Sequence, residues 1–140
     1  MRGHRTACPL SRDMTKTGWK LITDVAMLKE PSITRLRLLS FLEGDETCIS
    51  GKKLCERAKG LKANHGQRLA EYFLRHPTET PSRPGQNVCL VFPGTTWFDP
   101  KSGYTYISVL YWLNGELVLD FRKLGDEFDG HNCLVRILLE

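Results

Sequence analysis

The sequence lacks any apolar run near the ~20 residues that a membrane-spanning helix requires. Its basic first residues, Met1 to Lys16, also lack the apolar stretch of a secretory leader. An integral helical membrane protein is therefore excluded, and a cytoplasmic location is expected. Five cysteines (Cys8, Cys48, Cys55, Cys89 and Cys133) are an odd number without a repeated spacing, which does not read as a disulfide framework. Cys48, Cys55, His65 and His76 do not follow the paired spacing of zinc ligands, so no metal is expected. No serine sits in a G-x-S-x-G elbow and no phosphate-binding glycine loop is present, so neither an enzyme nor a cofactor is expected. The acidic loop Asp126 to His131 lacks the alternation and distal glutamate of a calcium-binding loop.

What remains is an ordinary globular composition, 41% hydrophobic and 26% charged over 140 residues, with an uneven distribution of charge. Residues 1–76 hold 15 Lys+Arg against 8 Asp+Glu, whereas residues 87–140 hold 4 against 7. A basic front half points to a polyanionic partner on one side of the molecule.

Periodicity divides the chain into four parts. Residues 1–18 read as a disordered basic tail, with Met14 as an alternative start. Residues 19–76 read as a helical region. Leu21, Ile22, Val25 and Leu28 mark one helix, and Ile33, Leu36, Leu39 and Phe41 mark a second that Ser32 caps and Gly44 stops. Thr47 to Ile49 is extended at best. Ser50 caps a third helix through Leu54, Ala58 and Leu61. Asn64 and Gln67 imitate a capping box for a fourth, in which Leu69, Tyr72 and Phe73 face inward. Residues 77–86 carry three prolines and read as a linker.

Residues 87–140 read as a small antiparallel β region. Val88 to Phe92 is a strand ended by Pro93-Gly94, Asp99 to Gly103 is a turn, and Tyr104 to Leu113 is a long strand. Asn114-Gly115 is a two-residue hairpin signal that sets Leu113 opposite Glu116, Trp112 opposite Leu117 and Leu110 opposite Leu119. Both faces of this hairpin are apolar, so both need a cover. Cys133 to Leu139 is the last strand. The fold class expected is thus α+β, an N-terminal helical region followed by a small antiparallel sheet.

The segment TRLRLLSFLEGDETCISGKKLCERAKG resembles the first two helices of a winged helix-turn-helix domain. The resemblance implies that residues 64–76 form a recognition helix, that the β region supplies the wing, and that double-stranded DNA is read through the major groove. Residues 50–76 carry seven cations against two acids. Lys52, Lys53, Arg57, Lys59 and Lys62 are expected to hold phosphates, with Asn64, Gln67 and Arg68 approaching bases. The rival expectation is a non-enzymatic interaction module, or a homo-oligomer through the β region. The aromatics Trp97, Phe98, Tyr104, Tyr106, Tyr111 and Trp112 offer stacking for unpaired bases if exposed and a β core if not.

Overall fold

A computed structural model describes residues 10–27 and 35–138. Among them, eight strands and two α-helices follow the order β1 (Lys20–Thr23), β2 (Leu36–Leu39), β3 (Cys48–Ser50), α1 (Gly51–Gly60), α2 (Gln67–Arg75), β4 (Cys89–Asp99), β5 (Tyr104–Leu113), β6 (Glu116–Lys123), β7 (Glu127–Asp129) and β8 (Asn132–Ile137). A six-stranded sheet dominates. Its strands run β2-β8-β4-β5-β6, with β1 also paired to β4, while β3 and β7 form a separate two-stranded ribbon.

This corrects the expected helical region with a small sheet appended. Neither of the first two anticipated helices is helical where it is described: Leu21 and Ile22 lie in β1, which pairs antiparallel with β4, and Leu36 and Leu39 in β2, which pairs antiparallel with β8, while Val25 and Phe41 belong to neither helix nor strand. Leu28, Ser32 and Ile33 lie outside the described residues. The sheet is also mixed rather than antiparallel, because β8 runs parallel to β4 through Cys89–Asn132, Leu90–Cys133 and Val91–Leu134. Within the anticipated tail, residues 14–17 form a 3-10 turn capped by the Asp13 carboxylate and closed by Gly18. Residues 1–9 lie outside the description.

The later strands follow from local chemistry. Asn114 and Gly115 both take positive φ, 51° and 79°, as a primed hairpin turn requires. The register is Leu113–Glu116, Trp112–Leu117, Tyr111–Val118 and Leu110–Leu119, as the turn dictates. Between β4 and β5 the pairing jumps from Phe92–Ser108 to Thr96–Ile107, which leaves Pro93, Gly94 and Thr95 as a bulge. The strand therefore continues past Pro93-Gly94 instead of ending there.

β5 occupies one edge of β4 along nearly its whole length, so β8 and β1 share the other edge, end to end on either side of the bulge. The chain between α1 and α2 meets the sheet at this point, where the Gly94 N–H donates to the His65 carbonyl at 2.9 Å. A Cβ on Gly94 would lie 2.6 Å from the Asn64 carbonyl oxygen and 2.8 Å from the His65 carbonyl carbon. Only glycine permits that approach.

Side-chain alternation along the strands then puts the helices on opposite faces. Leu54 and Ala58 of α1 share a buried cluster with Ile49, Val91, Ile107, Val109, Phe128 and Leu134. Leu69, Ala70, Tyr72 and Phe73 of α2 share another with Leu90, Phe92, Leu110, Leu119 and Val135. The arrangement is helix, sheet, helix. In a helix-turn-helix the two helices pack on each other; here a sheet stands between them, and the winged-helix expectation falls on that geometry.

Residues 77–86 are tied to both helix and sheet. Tyr72 donates its hydroxyl to Glu79 at 2.5 Å, Trp112 Nε1 donates to Ser82 Oγ at 3.2 Å, and Thr80 and Ser82 are buried.

Candidate nucleic-acid interface

Helix α1 begins where Ser50, in extended conformation, accepts a hydrogen bond from the Lys53 N–H at 3.2 Å. Leu54 and Ala58, one turn apart, then fasten it to the sheet, which turns Lys52, Lys53, Glu56 and Lys59 outward. A cleft of about 570 Å³ runs along this helix. Lys52, Cys55, Glu56 and Lys59 form one wall, Ile22 to Val25 another, and Thr96, Thr105 and Leu124 line it further, with Asn64 at its side. Three of the eight anticipated residues, Lys52, Lys59 and Asn64, are therefore brought together.

The other five are not. Arg57 is drawn into the loop preceding β3: it donates two hydrogen bonds to Glu46, at 2.5 and 3.0 Å, one to the Phe41 carbonyl at 2.9 Å, and lies 3.4 Å from Glu43. This two-pronged pairing holds the Glu46 carboxyl down at about 2 and raises the guanidinium further. Lys53 lies 3.8 Å from the same Glu46. Arg68 pairs with Asp24, whose other oxygen accepts from Thr95 Oγ1 at 2.7 Å. Lys62 takes a left-handed conformation, φ 56°, and lies beside His65 and Arg136, away from the cleft.

Gln67 departs furthest from its anticipated role. It is 0% exposed. Its amide donates to the Arg12 carbonyl at 2.7 Å and to Glu71 at 3.0 Å, while its oxygen accepts from Trp97 Nε1 at 2.7 Å. Its own N–H donates to Thr95 Oγ1 at 2.8 Å. Every polar atom of this side chain is committed inside the protein, so none is available to a base edge. The helix start is also two residues later than the capping pattern suggested: Gly66, not Asn64, stands at the N-cap, and no side chain caps it.

The thiols facing or flanking the sheet are poor nucleophiles. Burial pushes Cys55 and Cys89 up to about 11, which leaves them protonated at neutral pH. Cys48 donates to the Glu127 carboxylate at 2.6 Å, and its pKa rises for that reason first. In the acidic loop, Glu127–Asp129 forms β7 and Asp129 accepts from the His131 N–H at 2.9 Å and the Asn132 amide at 3.0 Å. Among the described residues no three His, Cys, Asp or Glu side chains gather as a metal site, and no helix is long and apolar enough to cross a membrane.

Sequence reasoning overlooked Trp19 and Asp24 as site residues. Nothing local marks them, since the partners of Trp19 (Tyr106 and Phe121) and of Asp24 (Arg68 and Thr95) are at least 44 positions away in the chain. Comparisons with protein-family models, with curated proteins and with solved structures each find no match.

Proposed function

We propose that this chain is a small, non-enzymatic nucleic-acid-binding protein of the cytoplasm, which holds a phosphate backbone along the outer face of α1. The reading rests on one observation: Lys52 and Lys59, two turns apart on the same side of the helix, flank the cleft beside the Asn64 amide, and neither is in an ion pair among the described residues. Lys62 is likewise outside any ion pair among the described residues, but it lies beside His65 and Arg136, away from the cleft. Phosphate contacts of this kind carry affinity without sequence information. Helix α2 has no part in it, because its first residue is buried.

A salt titration tests the reading. Two neutralised phosphates give log K against log salt a slope of roughly −1.8 on duplex DNA, against roughly −4.5 for the five cations of the anticipated set. The Lys52→Glu/Lys59→Glu double variant should lose most of this binding while melting as the parent does. Absence of binding at low salt, or binding that the double variant leaves intact, removes the proposal.

A protein contact is the second reading. It is favoured by Leu21 and Ile22 on β1, 42% and 58% exposed, and by Leu113 at the hairpin tip. Light scattering across a concentration series decides its homo-oligomeric form, which a strict monomer rules out.

A further inference from the structure

We propose a second binding surface, on the opposite face of the sheet from the α1 cleft, at which unpaired bases of single-stranded nucleic acid stack on an aromatic platform. Helix α2 covers only part of its face. Its apolar side chains pack with Leu90, Phe92, Leu110 and Leu119, toward the Asn114-Gly115 end, and Gln67 in its first turn reaches Trp97, in register with Tyr106; the end of β5 at Tyr104 is left to other side chains. There Trp19 stacks on Tyr106 with ring centroids 4.5 Å apart and planes 13° from parallel, and it meets Phe121 edge-on at 5.4 Å. Tyr104, two residues before Tyr106 and so on the same face, is 49% exposed. Lys123 sits with its Nζ 4.1 Å from the centre of the Tyr104 ring.

The chemistry of the patch selects the ligand. Rings that project from a sheet take the face of a base only when that base is not already stacked in a duplex, so the fit is to a single strand. The charges agree with a phosphate backbone. Lys123 is on the platform and Lys101 is in the turn that precedes Tyr104; neither is in an ion pair among the described residues, whereas Lys20, in register with Phe98 and through it with Thr105, points to the α1 face. The opposing acid is Asp99, in register with Tyr104, and its carboxylate accepts the Lys101 N–H at 2.9 Å. Thr105, between Tyr104 and Tyr106, points to the other face and lines the α1 cleft, so the two surfaces meet at one end of the sheet.

The test is fluorescence anisotropy of a labelled short oligothymidylate, with a duplex of equal length as comparison. Single-strand binding with a slope of roughly −1.4 in log salt is expected, as about two phosphates demand. Tyr104→Ala, at a half-exposed position where folding should survive, should weaken it roughly tenfold, the effect of removing one stacking ring. Lys101→Glu should weaken it further, whereas Lys52→Glu/Lys59→Glu should not. Quenching of tryptophan fluorescence that Trp19→Phe abolishes would locate the base, since Trp97 is buried and Trp112 lies toward the hairpin tip. Failure of the single strand to bind at low salt overturns the proposal. So does binding that Tyr104→Ala and Lys101→Glu leave unchanged but the α1 double variant destroys, a result that keeps the α1 reading while removing this one.

Discussion

Helices α1 and α2, ten and nine residues long, lie on opposite faces of one sheet and use their polar residues in opposite ways. Helix α1 buries Gly51, Leu54 and Ala58 and gives its lysines to solvent; α2 buries six of its nine residues, a glutamine and a glutamate among them. Glu71, 2% exposed, accepts the N–H groups of Ser11 and Arg12, each at 2.7 Å, and so fixes the segment before β1 to the core. A count of cations along residues 50–76 treats the helices alike. What separates them is the side of the sheet on which each turn comes to rest.

The contrast is tested most severely at Phe73, which α2 buries completely against Phe92. Phe73→Ala should cost about 3–5 kcal/mol, a large share of the ~5–15 kcal/mol that a domain has to lose. Urea denaturation measures it. A loss below about 1 kcal/mol would show that α2 is not the core element described.

The next effect compares a charged residue from each helix. Removing the Glu71 carboxylate strands two backbone donors and the Gln67 amide, at roughly 2 kcal/mol in total after rehydration of the outer groups. Glu71→Ala should also free residues 10–13 to amide exchange and to proteases. Lys59→Ala on α1 should stay within about 0.5 kcal/mol of the parent. Equal losses at the two positions would erase the distinction.

Capping gives the third comparison, with a reversal of the usual rule. Ser50→Ala at the start of α1 should cost about 1 kcal/mol, the ordinary value of a side-chain cap. Helix α2 has glycine at the same position, and serine would be the better cap on an open helix. Here a Cβ on Gly66 would fall 2.3 Å from Thr95 Oγ1, the atom that already accepts the Gln67 N–H. Gly66→Ser should therefore destabilise by about 1–3 kcal/mol, as overpacking does, and thermal melts of the two variants read the difference in one experiment.

These pairs also show what could be read in advance. The hairpin from Tyr104 to Lys123, the Ser50 cap and the inward residues Leu69, Tyr72 and Phe73 rest on neighbours within a few positions, and local pattern carries them. β1 and β2 do not. Leu21 and Ile22 have helical spacing, yet both are exposed, and their strand exists because β4, more than seventy residues later, offers an edge. β2 likewise depends on β8, nearly a hundred residues away. Such pairing leaves no period in the short strand itself. The candidate site divides along the same line: the solvent face of α1 was legible from Leu54 and Ala58, while the burial of Gln67 depended on Trp97, Thr95 and Arg12, which no spacing connects to it.

The smallest effect expected is in acid, and it belongs to α1 alone. Arg57 joins this helix to the Glu43–Glu46 turn through Glu46, whose carboxyl is held at about 2 against an ordinary 4.5. A carboxyl whose pKa is lower folded than unfolded binds more protons in the unfolded chain over that interval. Its contribution is therefore present in full above pH 4.5 and is lost as pH falls from there toward 2. The pair is only partly exposed but lies at the surface, so the loss is small and added salt reduces it. Glu46→Gln should flatten the pH dependence of the melting temperature in that interval and leave it unchanged above pH 6. Amide exchange should show the turn and the Phe41 carbonyl contact loosening first, with Phe73 and its neighbours still protected. If α2 opened at the same pH as the turn, the two faces of the sheet would be one cooperative unit, and the division between a buried helix and a solvent-facing one would not extend to their stability.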